Sequence, residues 1–449
     1  MAESINIGTR WEPLVDRLLI DRLEGATHRL HAPVRQEVAL AMDGPCECST
    51  SYYYNLFQDA DRVRLYYRGT NVTQPDGAVW QTANLAESTD GITFTRPKVG
   101  TVPVNGSNDN NVVWIDRGAH NFSVFRDENP ACDPEQRYKA VGSGADSDQI
   151  QQLYAFSSPD GIHWRMIQEE ALDIPGGFDS LNVPFWDTLQ GCYRLFSRYG
   201  DSVRHVRAVQ SNRSDDFLHW TDPLQNQYAN GVPWEQFYTN ATIPCPGAEH
   251  VLLSFPMRFM PDRTRSTEGM DYPGEGISDA VFMSSRDGIH WDRPFLEAWL
   301  RPGLDPCNWT HRNIMPATGI VATSPTEWSM YVGENYGWNT NLLRRVTVRP
   351  MGFASVNGHP AGGELLTPML TFSGKRLHLN YSTSASGSLT VAICDPDGHP
   401  LEGFSDMEPL FGDELDAPLS YDLSSLRGKS VRLRVRLADA DLFALRTGD

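Results

Sequence analysis

A short signature recurs through this chain and constrains its fold more than any other feature. It reads Ser88-Thr-Asp90-Gly91-Ile-Thr-Phe94, Ser157-Ser-Pro-Asp160-Gly161-Ile-His-Trp164, Asp216-Phe-Leu-His-Trp220 and Ser284-Ser-Arg-Asp287-Gly288-Ile-His-Trp291. The aromatic ends lie 70, 56 and 71 residues apart, too long a period for a solenoid. Each copy follows a short apolar run, such as Leu153-Tyr-Ala-Phe156 or Ala280-Val-Phe-Met283. That pattern is a β-strand entering a tight Asp-Gly turn with an aromatic residue folded over it. Repeated at this period, it predicts the blades of a β-propeller.

A second repeat lies upstream of the turns and sets the blade count. Asn121, Asn182, Asn240 and Asn313 each stand at the start of an apolar segment, and Tyr53 takes that slot in the first copy. Strands rich in β-formers follow: Arg62–Tyr67, Arg137–Val141, Cys192–Phe196, His250–Phe255 and Trp328–Val332. The last segment ends at Leu342–Val348, and its turn has dissolved into Pro350-Met-Gly352. Five inner strands within about 40–350 give a five-bladed propeller over residues 1–350. Residues 1–35, with Leu14, Leu18, Leu19, Ile20 and Leu23, form a segment that packs on the rim or completes a blade. From 351 to 449 the period stops, and alternating strands such as Leu377–Tyr381, Ser388–Ile393 and Val431–Leu437 predict a β-sandwich.

Composition narrows the partners. The chain is all-β in texture, with 37 Gly, 30 Pro and 10% aromatics. A formal net charge of -19 argues against nucleic acid or an anionic membrane surface as a general partner. No run approaches the ~18 apolar residues of a membrane span. The opening Met1-Ala-Glu-Ser4 shows no secretion signal, as would also hold had one been removed, so the compartment stays open. Seven scattered cysteines fit no disulfide framework, and Cys46-Glu47-Cys48 lacks a second pair at zinc spacing. No cofactor is called for; Asn108-Asp-Asn-Asn111 offers oxygen ligands for a structural calcium, with a plain turn as the commoner reading.

In a propeller the entry ends of the inner strands face one funnel, and antiparallel pairing returns the end of each second strand to the same face. The first set contains Glu47, His120, Asn121, Asp179, Asn182, Glu235, Tyr238, Asn240, Arg312 and Asn313. The second contains Arg68, Arg198, Arg258 and Glu334. The asparagines could equally cap turns or tie blades together, Asp179 could serve its own turn, and Glu235 reads as a surface residue. Glu334 stands in Gly333-Glu-Asn-Tyr-Gly337, where small residues permit close approach. Arginines recurring at one structural position suggest an anion-facing task. Asp127 in Arg126-Asp-Glu-Asn-Pro130 ends its strand and belongs to the opposite face.

The Ser-x-Asp-Gly-Ile-His-Trp turns and this architecture resemble the five-bladed glycoside hydrolases of families 32, 43 and 68 and the family-130 phosphorylases. The motifs mark blades rather than a site, and the Asn-Asp-Pro-Asn box of family 32 is absent. The resemblance implies glycoside hydrolysis by a carboxylate pair. Asp179 would be base or nucleophile, and Glu47 or Glu334 general acid. Tyr238, His120, Trp309 and the amides would bind sugar hydroxyls and ring faces, with the arginines admitting a uronate or sulfated sugar. A non-catalytic carbohydrate-binding propeller, a lyase, or a phosphorylase with one essential carboxylate are the alternatives.

Overall fold

A computed structural model describes residues 4–73, 79–104, 106–144 and 152–449; Met1, Ala2 and Glu3 of the opening segment lie outside it. The described residues form strands and four short 3-10 turns, with no α-helix and thus no helix able to cross a membrane. Five sheets, antiparallel except where Gln227–Tyr228 adds a parallel strand to the fourth, make a propeller. Blade I comprises Tyr52–Asp59, Arg62–Thr73, Val79–Ser88 and Val112–Ile115. Blade II comprises Ser123–Arg126, Tyr138–Ser143, Leu153–Ser158 and Arg165–Met166, and blade III Val183–Asp187, Cys192–Asp201, Val206–Ser214 and Leu224–Gln225. Blade IV is built on Ile243–Cys245, Ala248–Ser254, Met283–Ser285 and His290–Asp292.

Blade V holds Met315–Pro316, Glu327–Glu334 and Leu342–Val348, and takes its outer strand from Val34–Ala41 at the other end of the chain. This closure explains the missing fifth signature. The Asp turn serves the passage from third strand to fourth within one blade, and blade V needs no such passage.

The turn is self-sufficient. In Ser158–Trp164, Ser158 Oγ accepts from the Gly161 N–H (2.9 Å), and Asp160 Oδ1 from those of Ile162 and His163 (both 2.9 Å). The Trp164 indole N–H then donates to the Gly161 carbonyl at 2.9 Å. Gly161 is left-handed (φ 75°), a conformation that favours glycine, and Phe217 adopts it (φ 71°) in the degenerate copy. The turn is also a clip between blades. Tyr66 of blade I donates to the Gly161 carbonyl of blade II (2.9 Å), Tyr331 of blade V to that of Gly91, and Arg194 of blade III to that of Asp287 (2.9 Å).

Residues 5–30 complete no blade. Ile5–Gly8 pairs with Leu370–Phe372, Glu12–Pro13 with Arg432–Gly448, Arg22–Glu24 with Gly363–Leu366, and Ala26–Leu30 with Ala354–Gly358. The long strands Arg376–Cys394 and Arg432–Gly448 pair along their length and hold together an eight-stranded sheet that takes in all of these except the separate pair of Ile5–Gly8 with Leu370–Phe372. Leu14 and Leu19 are buried among Val356, Leu365, Leu379 and Leu445, in a core separate from the propeller's. Leu18 stays exposed. Glu12 joins the two regions: it is fully buried and bound by Arg286 (2.8 Å) and His250 (3.2 Å) of blade IV.

Candidate active site

Asp179, in the loop ahead of the inner strand of blade III, forms the centre of one polar cluster. Tyr53 donates its hydroxyl to Asp179 Oδ1 at 2.9 Å, and His120 Nε2 lies 2.9 Å from the same oxygen. Asp179 Oδ2 has Arg198 at 4.0 Å, and the side chain keeps 28% of its exposure. Burial alone would raise the carboxyl pKa. The hydrogen bond and charge of His120, with Arg198 and Tyr53, outweigh it and hold Asp179 well below the usual range. Asp179 is therefore ionised.

His120 shows the opposite balance of effects. Burial, against the raising influence of Asp179 and with Arg68 and Arg312 nearby, pushes its imidazole below 6.5, so the ring is neutral at pH 7. A neutral ring donates from Nε2 to Asp179 and accepts at Nδ1. His120 Nδ1 lies 2.5 Å from Gln81 Oε1, so a neutral ring calls for the opposite amide orientation, with the Gln81 N–H toward that nitrogen.

Around this pair stand Arg68, Arg198, Arg207 and Arg312. The Arg68 guanidinium lies over the Tyr53 ring (4.9 Å to centroid). Those of Arg198, Arg312 and Arg207 surround the Tyr238 ring at 4.9, 5.5 and 5.7 Å. Arg68 donates to the Thr50 carbonyl (2.7 Å), Arg312 to the Tyr336 hydroxyl (3.2 Å) and Arg207 to Gln236 (2.6 Å). Several entry residues are left-handed without being glycine: Tyr53 (φ 56°), Ala241 (43°), Arg312 (59°) and Ile314 (58°). Such geometry costs on the order of 1–3 kcal/mol per residue and persists only where the surroundings impose it.

Six of the expected residues thus meet: Asp179, His120, Tyr238, Arg68, Arg198 and Arg312. The other two expected acids do not join them. Glu47 is 1% exposed and closed off by Arg96, whose Nε and Nη2 each donate at 2.7 Å, by the Gly44 N–H at 2.8 Å, and by the Tyr67 hydroxyl. Glu334 is equally occupied: Arg35 donates to Oε1 at 2.8 Å and Arg344 to Oε2 at 2.5 Å, within the sheet of blade V. Neither has a free oxygen for a substrate. Of the three expected acids, Asp179 alone has an oxygen without a hydrogen-bond donor.

The asparagines also leave the list of sugar contacts, because their amides belong to the backbone. Asn121 donates to the Phe178 and Ser180 carbonyls and accepts from the Ser143 N–H (2.7 Å). Asn182 donates to Phe178 (3.0 Å) and Ser180 (3.2 Å), Asn240 to Leu181 (3.1 Å) and Phe196 (3.3 Å), and Asn313 serves the Thr310 turn and the Tyr336 N–H. Asn55, passed over in favour of Tyr53, does the same for Phe122 and Val124.

Arg258 is matched by Asp279 (2.9 and 2.7 Å) and Glu235 (2.9 Å), so Glu235 is an ion-pair partner rather than a free surface group. With Trp309 it lines a separate cavity of about 580 Å³. That cavity, which Arg258 rather than Glu235 lines, borders the hairpin of Met257–Met260 and Ile277–Ala280, whose Phe259 packs on Tyr238 (ring centroids 6.3 Å). Asp127 is buried against Lys139 and Tyr193 (2.7 Å) within blades II and III. In the Asn108–Asn111 segment the Asn110 amide is spent on the Val102 and Ser107 carbonyls and that of Asn111 on Leu85. All seven cysteines are free, and Cys46 and Cys48 belong to a turn. Among the described residues the three-residue group that could hold a metal is Asp395, Asp397 and His399, far along the chain in a surface turn.

Arg207 and Gln81 were not expected here. Both stand on third strands that extend past their blades: Arg207 pairs with Gly200, and Gln81 with Asn71. The length of those hairpins is the one signal the sequence held.

No protein-family model matches the chain, and no curated protein sequence matches it. Solved structures are similar to it over about 72% of its length. One is described among the glycoside hydrolases of the GH130 family of mannoside phosphorylases that target β-1,2 mannosidic linkages in Candida mannan (TM-score 0.45, 13% identity, 72% of this chain and 95% of that one). Another is a glycosyl hydrolase from Bacteroides ovatus (0.45, 14%, 72% and 95%), and a third an N-acetylgalactosamine deacetylase from F. plautii (0.45, 11%, 73% and 96%).

Proposed function

We propose that this chain cleaves a glycosidic bond in the funnel, with Asp179 as its one working carboxylate. The observation that carries the reading is the contrast between Asp179 and the two locked acids. One oxygen of Asp179 is fixed by Tyr53 and His120, while the other faces the funnel with only Arg198 at 4.0 Å. An ionised carboxylate so oriented serves as base or nucleophile. As base, it takes a proton from water while the water oxygen bonds to the anomeric carbon and the glycosidic C–O bond breaks. The departing oxygen needs a proton in turn. The Tyr238 hydroxyl, buried and without a partner, is the O–H of the cluster free to supply it.

A second reading, phosphorolysis, is favoured by the same count of one carboxylate among four arginines; a phosphate oxygen would then replace water as the attacking atom. The test is Asp179→Asn assayed by release of reducing sugar from a panel of neutral and acidic oligosaccharides, with and without inorganic phosphate. Turnover should fall at least about 100-fold while the thermal midpoint holds. Full turnover in this variant would end the proposal.

A further inference from the structure

Elsewhere in this chain buried arginines are matched by acids. Arg258 has Asp279 and Glu235, Arg286 has Glu12 and Asp16, Arg345 has Glu37 and Glu327, and Glu334 serves Arg35 and Arg344. In the funnel the rule breaks. Four guanidinium groups share one carboxylate, and its nearest approach to any of them is 4.0 Å. Arg68 is 5% exposed and donates only to a carbonyl and a phenol. Arg198 keeps a buried nitrogen, Nη1, with no acceptor at all, and the Tyr238 hydroxyl beside it is likewise unpartnered.

Unmatched buried charge is expensive. The protein's net charge of -19 makes so dense a positive cluster stand out further. The aromatic rings explain how like charges are held together. Tyr238 separates three guanidiniums and Tyr53 supports the fourth, each taking a cation on its π face. A guanidinium packed against a ring keeps N–H edges for a ligand, and those edges match the oxygens of carboxylate, sulfate or phosphate.

We infer that the funnel binds an oxyanion on Arg68, Arg198, Arg207 and Arg312, adjoining Asp179. The oxyanion is either a substituent of the sugar itself, a carboxylate or a sulfate, or free phosphate. The inference rests on the reading of this funnel as the working site, and it supplies what that reading lacks: the second charged group that a lone carboxylate needs. An anion there also offsets the positive field that now keeps Asp179 ionised, so binding and the protonation of Asp179 are coupled.

The test is titration calorimetry of the whole chain with sodium phosphate, sodium sulfate and glucuronate as probes, at fixed low ionic strength. At least one probe should bind, about tenfold more weakly or worse in Arg198→Gln and in Arg312→Gln, each checked for folding by circular dichroism. Arg265→Gln, whose guanidinium lies over the Trp309 ring (5.7 Å to centroid) and outside the cluster, should bind like the parent. Asp179→Asn should bind the anion more tightly, since a repelling charge beside the arginines is gone. Turnover that requires phosphate assigns the anion to the free ion. Turnover of an acidic oligosaccharide that phosphate inhibits competitively assigns it to the sugar. Failure of all three probes to bind, or equal binding by the Arg198 and Arg312 variants, overturns the inference even if Asp179→Asn is inactive. Anion binding with a fully active Asp179→Asn would instead spare it and remove the proposed function.

Discussion

Glu47→Gln separates a catalytic from an architectural carboxylate. The side chain receives four donors: both Arg96 nitrogens at 2.7 Å, the Gly44 N–H at 2.8 Å and the Tyr67 hydroxyl. Arg96 continues to the Ala41 carbonyl at the end of blade V's outer strand, and Tyr67 receives the Asn111 amide (3.0 Å). The network therefore ties blade I to the strand that closes the propeller. Breaking a buried ion pair costs about 3–5 kcal/mol. Arg96 is 26% exposed and can turn partly to water, while glutamine keeps one acceptor oxygen. We therefore expect a loss of about 2–3 kcal/mol. At about 2 °C per kcal/mol for a chain this large, the thermal midpoint should drop by roughly 4–6 °C. Calorimetry should show that drop, with turnover per folded molecule at 25 °C unchanged within about twofold. An unchanged midpoint with abolished turnover would show that Glu47 takes part in the reaction and that its enclosure has been misjudged.

The remaining predictions concern the frame of the site and its joint to the other sheet. Asn121→Ala should destabilise the protein by about 2–4 kcal/mol in urea unfolding, because it strands the Phe178 and Ser180 carbonyls and the Ser143 N–H in the interior; a change confined to KM would return Asn121 to the substrate. Glu12 is the acid to watch in acid unfolding. Burial would raise its pKa, but the hydrogen bond and charge of His250 and the Arg286 guanidinium hold it at about 2, against 4.5 ordinarily. Because the folded value is depressed, its stabilisation is complete above about pH 4.5 and is lost as pH falls toward 2. The amount is about 3 kcal/mol. In Glu12→Gln the midpoint should already be lower at pH 7 and should fall less steeply between pH 4.5 and 2; a parallel slope would refute the assignment.

The regular turn made the blades legible because it is a local device, closed by its own Ser, Asp and Trp within seven residues. Its second role, as a clip held by Tyr66, Tyr331 or Arg194 from the blade before, is long-range and leaves no local mark. Phasing by the turn sent Asp179, His120, Tyr238 and three arginines to one end of the channel, and there they meet. Glu334 is grouped with them because it closes the second strand of its blade, like Arg68 and Arg198. Asn335 is left-handed (φ 59°) and breaks the alternation, so Tyr336 enters the cluster while Glu334 stays in the sheet. Arg207 was lost for the converse reason: its hairpin runs on beyond the blade, and the count stopped at the blade's edge.

The deeper difficulty concerns charge. Whether a carboxylate is available for chemistry depends on the cation it meets, and that cation is remote in sequence: Arg96 is 49 residues from Glu47, and Arg35 is 299 from Glu334. Residue type and local context mark an acid as a candidate, but only the pairing decides. The same reasoning applied to arginine yields the opposite result. Most buried arginines in this chain are silent because each has found its acid, and the four in the funnel carry information because they have not. The proposed site on this scaffold is the set of charges left over after the structural pairs have been removed: one carboxylate with an oxygen that no donor holds, and four guanidiniums without an acid of their own.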